Sequence, residues 1–345
     1  MKTFDVLLGS WSWGASVVPP AIAIERGNFL RRLKVFIDGV HTLAAGAASG
    51  TARSENVANI FQYIRVKGDG VDALKDYDGT GLFLSTKRHN RSAPVIVTSD
   101  GAVGTAKAFT AIFTIDFALN KKWNLRPADT FLDTRVFKTL NLEAQFSANI
   151  KDALLTGCDR TESAPAATIT VVGEYETPHS NFGAVRLYRQ WKESIPVSAA
   201  SSGLGYQPAV DRLYKEFIVS AQNKAAGGQF TGNDALIVKI TLKMNSSCYI
   251  VDKVPFKLQQ YLDALDYNWA AIHAGAQFLD FDTDGMLTEI LSTLGANNLN
   301  FSFDVTLPAG TNEIWVYPGV IEPYPDALRR KVCVPAATAP LAVAR

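Results

Sequence analysis

Apolar and polar residues alternate with period two along most of the chain, and helical spacing is confined to short stretches. The first clear alternation spans 29–38. There Leu33, Val35 and Ile37 face one way and Arg32, Lys34 and Asp38 the other, the pattern of a half-buried strand. A second follows at 57–67, with Ile60, Ile64 and Val66 apolar, beyond an Ala/Gly/Ser stretch at 44–51 that reads as a loop. The piece at 81–89 is too short for periodicity to choose between helix and strand. Further strands are expected at 94–98, 107–119, 136–147 and 168–175. Between Phe109 and Phe117, Phe and Ile alternate with small or polar residues, as in an antiparallel strand with one wet face. The helix expected in this half spans 149–157.

The pattern breaks around 194–206, at Ile195-Pro196-Val197, an Ala/Ser/Gly stretch and Gln207-Pro208, and a domain boundary is placed there. Beyond it come strands at 213–221 and 235–245, the latter with Leu236, Val238, Ile240 and Leu242 on one face. A helix at 255–266 carries Phe256, Leu258, Tyr261, Leu262 and Leu265 at helical spacing, and strands at 276–282, 297–307 and 313–321 follow. Each half thus runs strand, loop, strand, short helical piece, further strands. That plan makes the chain all-β, built as two consecutive β-sandwiches. Residues 1–27 read as an N-terminal arm, 28–200 and 201–330 as the two sandwiches, and 331–345, rich in Ala, Pro and Val, as an extended C-terminal arm. Trp11 and Trp13 suit a membrane interface or a neighbouring subunit's pocket. The alternative is an N-terminal segment folded onto its own core.

A length of 345 residues exceeds one ordinary core and agrees with two domains. The hydrophobic fraction of 47% against 19% charged is that of a folded chain. With 34 basic and 33 acidic side chains, no bulk field draws nucleic acid or anionic lipid. Cys158, Cys248 and Cys333 stand far apart without a CxxC pair, which reads as reduced, buried thiols of a protein made in a cytosol. The apolar N-terminus is interrupted by Asp5 and by Ser, Trp and Gly residues, so no cleaved signal peptide is expected, and no apolar run is long enough to cross a bilayer.

Candidate chemistry is sparse. His41, His89, His179 and His273 are isolated, with no metal-ligand spacing. Lys87-Arg88-His89-Asn90-Arg91 is a local basic run, read as a solvated loop face before a phosphate contact. Gly68-Asp69-Gly70 and Gly79-Thr80-Gly81 read as turns needing positive φ. Neither a nucleophile elbow nor a phosphate-binding glycine loop is present, and no cofactor is called for. The metal candidate is Asp280, Asp282 and Asp284 ahead of Gly285, which opens like a calcium loop. Leu291 then stands where the bidentate acid belongs, and an ordinary Asp-Gly turn is preferred. The aromatics fall mostly at apolar strand positions and are assigned to core.

The block Phe29-Leu30-Arg31-Arg32-Leu33-Lys34-Val35, then Val57 to Val66, then Asp78-Gly79 with Leu82-Phe83-Leu84, resembles the opening of double-jelly-roll major capsid proteins of tailless icosahedral double-stranded DNA viruses with an internal membrane. The resemblance covers about the first hundred residues in detail and the rest in plan. It implies two eight-stranded jelly rolls with a few short helices, one of them at 79–88. It further implies a homotrimer forming a pseudo-hexameric capsomer, neighbouring capsomers and penton or minor capsid proteins as partners, and an N-terminal arm beside the membrane. Under it there is no active site and no direct genome contact, and the protein is made in the host cytoplasm and resides in the virion. The rival from another class is a two-domain β-sandwich that binds or cleaves carbohydrate. An enzyme would gather acids and aromatics on one set of loops, whereas a capsomer subunit would carry apolar area on its flanks.

Overall fold

The computed structural model describes residues 3–323 except 45, 47, 71, 91–93, 98–103, 120–129, 178–185, 226–227, 246, 270–271 and 283–289. The first half opens with β1 (Thr3–Ser12), β2 (Ile22–Ala23), β3 (Phe29–Leu43) and β4 (Ser49–Ala52). After a 3₁₀ turn at Asn56–Ile60 come β5 (Phe61–Gly68), β6 (Asp72–Tyr77) and helix α1 (Gly79–Asn90). Then follow β7 (Val95–Val97), β8 (Lys107–Asp116), β9 (Leu132–Asp133), β10 (Leu140–Phe146), α2 (Ile150–Leu154), β11 (Leu155–Cys158) and β12 (Glu162–Glu176). One sheet has the order β1-β12-β3-β8-β7, with β9 also on β3, and it faces the strands β6-β5-β10-β2. Period-two alternation delivers Leu33, Val35, Ile37, Phe109 and Phe113 from one side and Ile64, Val66, Leu142 and Phe146 from the other into a single dry core.

The second half contains β13 (Arg186–Gln190), β14 (Glu193–Val197), β15 (Ser201–Tyr206), β16 (Leu213–Lys224) and β17 (Phe230–Gly232). It continues with β18 (Ile237–Met244), β19 (Cys248–Pro255), helix α3 (Phe256–Asp266), β20 (Ala276–Asp280), β21 (Leu291–Ser292), β22 (Leu299–Val305) and β23 (Thr311–Pro323). Strands β14, β23, β16 and β20 form one layer, and β15-β22-β18-β19 the other. Phe217, Val219, Ile240, Leu242, Phe301, Phe303 and Val316 fill the space between them. The halves are continuous through one sheet, because β13 pairs antiparallel with β23 and parallel with β6 at Gln190 and Lys75.

The halves repeat one topology. In the first, the hairpin β5-β6 leads into α1, then β8 returns to pair with β3, and β10 and β12 add to β5 and β3. In the second, the hairpin β18-β19 leads into α3, then β20 returns to β16, and β22 and β23 add to β18 and β16. Strand β1 lies beside β12 as β14 lies beside β23, and β2 beside β10 as β15 beside β22.

Several expectations need correction. Residues 3–12 are not an arm but a ten-residue strand hydrogen-bonded to β12. Strands β13 and β14 precede the expected boundary near 200, yet both pair with β23, so the chain has entered the second half by residue 186. Val238 is 45% exposed because a bulge between Ile237 and Lys239 shifts the register against β22 and turns it outward. The expected helix at 149–157 keeps one turn and then becomes β11, and α1 is a second helix of that half. Of the glycines read as turns, Gly70 has φ +79°, whereas Gly79 and Gly81 lie in α1. Cys158 is half-buried and Cys248 exposed, rather than buried, and neither is in a disulfide. Residues 331–345, Cys333, Asp284 and His179 lie outside the described residues.

Candidate functional site

Helix α1 is the wedge between the two sandwiches, and every residue from Gly79 to His89 is buried. Asp78 starts it: its Oδ1 accepts the Gly81 N–H at 2.7 Å and its carbonyl accepts that of Leu82 at 2.9 Å. The same carboxylate takes the Tyr317 hydroxyl (2.9 Å) and Lys192 Nζ (2.6 Å) from the second half. Glycine is required at both ends of this first turn by proximity. A Cβ on Gly79 would lie 2.5 Å from the Ala58 carbonyl oxygen, and one on Gly81 2.4 Å from the Tyr317 ring.

The last turn of α1 carries Lys87, Arg88 and His89, where positive charge suits the helix dipole. These residues, expected on a solvated loop, are 6%, 3% and 7% exposed. They face a cluster of the second half. Arg88 Nη2 lies 3.2 Å from Glu216 Oε2 and 2.5 Å from Asp280 Oδ2, and Lys215 Nζ is 3.3 and 3.4 Å from the same two carboxylates. His89 Nε2 sits 3.2 Å from Glu216 Oε1, which also accepts the Tyr188 hydroxyl at 2.6 Å. Gln190 accepts the Tyr77 hydroxyl (2.8 Å) and donates to Glu216 (3.3 Å), tying β6 of the first half to β16 of the second. Burial pushes the Glu216 carboxyl up, but Lys215, Arg88 and His89 outweigh it and hold it well below the usual carboxylate range. Burial lowers His89 and keeps its imidazole neutral to lower pH despite Glu216. Lys75 is fully buried, its Nζ 3.3 Å from the centre of the Tyr188 ring, and burial drives it well below an ordinary lysine.

A smaller cluster flanks this one. His273 Nε2 is 3.5 Å from Glu55 Oε1, and the ring of His273 packs on Phe83 with centroids 5.1 Å apart. Burial raises Glu55, but His273 and Arg53 reverse the effect and bring it down to about 2. Lys87 lies over the Trp269 ring at 4.4 Å, and burial lowers it to about 8.

Of the acids proposed for calcium, Asp280 is otherwise engaged. Asp280 holds Arg88 and Lys215 and accepts the Tyr267 hydroxyl, and the Asp282 N–H donates to Asp280 Oδ1 at 3.1 Å. Cations of the chain itself thus occupy the first ligand of that loop, and no cluster of three metal-ligating side chains occurs among the described residues. Trp11, proposed for a membrane surface, is 4% exposed. It packs edge-on to Phe146 and donates its indole N–H to the Pro20 carbonyl at 2.7 Å, so it belongs to the core. Trp13 is half-buried against the same core. No helix among the described residues is long and apolar enough to cross a membrane.

No protein-family model matches the sequence, and no curated protein does. The fold is another matter. The STIV major capsid protein matches with a TM-score of 0.73 at 15% identity, over 97% of this chain and 100% of that one. A structure of Sulfolobus Turreted Icosahedral Virus matches with 0.69 at 16% identity, over 96% of each chain. This chain has the double-jelly-roll capsid fold. The major capsid protein of bacteriophage PM2 also shares it, with a TM-score of 0.60 at 12% identity over 92% of this chain and 98% of that one.

Within this double jelly roll, two groups of exposed apolar side chains lie on flanks. On α3, Leu258, Tyr261, Leu262 and Leu265 are 40% exposed or more, while Phe256, Gln260 and Asp263 are buried. The helix therefore turns its expected apolar face to solvent. On the outer face of the first sheet, Val95, Ile112 and Phe36 stand side by side on β7, β8 and β3.

Proposed function

We propose that this protein is the structural major capsid protein of an icosahedral virus. In this reading it assembles as homotrimers, each a pseudo-hexameric capsomer of six jelly rolls, which tile the shell beside penton or minor capsid proteins. The role is one of packing, without catalysis or cofactor, and the protein resides in the virion after synthesis in the host cytoplasm. The observation that carries this reading is the pairing of two topologically equivalent jelly rolls in one chain, joined by a continuous sheet and a buried helix, with a match over the whole length of a major capsid protein. Apolar flanks without a partner among the described residues support assembly over carbohydrate binding, since Glu216 and Asp78 of the seam are taken up in ion pairs. A shell over an internal membrane rests on the family resemblance. The buried Trp11 does not add to it.

The test is the mass of the purified protein by light scattering after size exclusion. Three copies of the 37.4 kDa chain are expected, with particles under the electron microscope when virion partners are supplied. A monomer at all concentrations would overturn the capsomer reading and turn attention to glycan binding.

A further inference from the structure

The internal repeat specifies what should cover α3. Its counterpart α1 is buried because it lies against the outer face of the second jelly roll, where Phe278, Ile218 and Tyr317 form one cross-strand row and are 3%, 1% and 0% exposed. In the first jelly roll the corresponding strands β8, β3 and β12 present the row Ile112, Phe36 and Thr170. This row continues to Val95 on β7, and here Val95 is 72%, Ile112 43% and Phe36 39% exposed. Among the described residues, the apolar side of α3 thus has no sheet against it, and the row on the first sheet has no helix over it.

Helix α3 cannot roll over to hide its apolar face. Asp263 Oδ2 accepts the Phe278 N–H at 2.8 Å, and Gln260 donates to Asp234 Oδ1 (2.7 Å) and to the His273 carbonyl (3.0 Å), so its polar side is pinned to the protein. Of the charges bordering the exposed row on the first sheet, Lys34 pairs with Asp5 and Glu174 and Arg32 with Asp116, so these two cations are matched within the chain, while Asp38 stands exposed beside Phe36. The strand edges follow the same logic. Strand β13 closes the gap beside β6, whereas β19, the counterpart of β6, ends its sheet, and β1 ends the first sheet on the other flank.

We propose that α3 of one copy docks through Leu258, Tyr261, Leu262 and Leu265 onto Phe36, Ile112 and Val95 of a second copy, repeating between chains the contact that α1 makes within the chain. The contact is heterologous, helix face to sheet face, so it propagates head to tail and gives a ring where the rotation closes. Closure at three copies rests on the capsomer reading; the identity of the two faces does not.

Three proteins test it by light scattering, with circular dichroism to verify folding. They are the wild type, Leu262→Asp/Leu265→Asp on the helix, and Phe36→Asp/Ile112→Asp on the sheet. All four positions are already exposed in one chain, and Leu265→Arg alone, at a site 75% exposed, serves if the helix double variant misfolds. The expected result is a trimeric wild type and two monomeric variants. A one-to-one mixture of the variants should give a species of two chains and nothing larger, because only one intact helix face then meets one intact sheet face. Variants that stay trimeric overturn the docking surface and leave the capsomer reading standing. So does a sheet variant that assembles while the helix variant does not, since that would mean helix-to-helix contact. A monomeric wild type overturns the capsomer reading itself.

Discussion

Glu216 carries more of the seam than any other side chain, because Arg88, Lys215, His89, Tyr188 and Gln190 converge on its two oxygens. Removing one member of a buried pair costs more than the pair is worth, since the partner charge remains without compensation. Glu216→Ala is therefore expected to lower unfolding stability by about 3–5 kcal/mol, measured by chemical denaturation. A loss below about 1 kcal/mol would show that Asp280 alone satisfies the two cations. Asp263 gives the pH counterpart. Burial raises its carboxyl from 3.8 to about 7, so the native state holds this proton more tightly than the unfolded chain does. Its contribution is fully present below the ordinary carboxylate range and is lost as pH rises through about 7. Asp263→Asn cannot ionise, and its stability should fall less than that of the wild type between pH 4 and 8. Parallel curves would mean that Asp263 does not titrate in that window.

At the level of elements, α1 shows how tertiary contact overrides local preference. In an open helix, replacing Gly81 by alanine would add about 1 kcal/mol through propensity. Here the added Cβ would come 2.4 Å from the Tyr317 ring, which is itself fully buried and bonded to Asp78, so the ring has nowhere to go. Gly81→Ala is expected to destabilise by about 1–3 kcal/mol, read from the thermal midpoint, and a raised midpoint would place α1 farther from β23. The strands were legible from their own letters: Leu33, Val35 and Ile37 point inward as their spacing implies, since period two leaves only two faces. The surroundings of the helices were not. Lys87, Arg88 and His89 look like a surface run because their partners lie more than a hundred residues away: carboxylates on β16 and β20 for Arg88 and His89, and the Trp269 ring for Lys87. On α3 the spacing located the helix but not the side it buries. Hydrogen bonds from Gln260 and Asp263 decide the side, and no periodicity records them. Val238 escaped for a similar reason, because a bulge is a property of a strand pair and not of one strand.

For the whole molecule, the repeated plan of strands and helices was visible along the chain, while the joint between the halves was not. Strand β13 precedes the Pro and Gly signals that mark a boundary and β14 runs through the first of them, yet both pair with β23 of the second jelly roll. What binds the halves is one sheet crossing at β6 and β13, a helix buried to its last turn, and an outer face made of Ile218, Phe278 and Tyr317 that lies in the same core as Leu82 and Phe83. Separation would strip the second jelly roll of this cover and leave Arg88, Lys87 and His89 facing water on one side and Glu216 and Asp280 on the other. Neither half then has a stable form to populate while its neighbour is unfolded, so the chain should unfold as one cooperative unit despite its two sandwiches. The measurement is urea unfolding of the monomeric helix-face variant, followed in parallel by tryptophan fluorescence and far-UV circular dichroism. Coincident curves are expected. Two separate transitions would mean that the seam, for all its buried charge, holds the jelly rolls together more weakly than each holds itself.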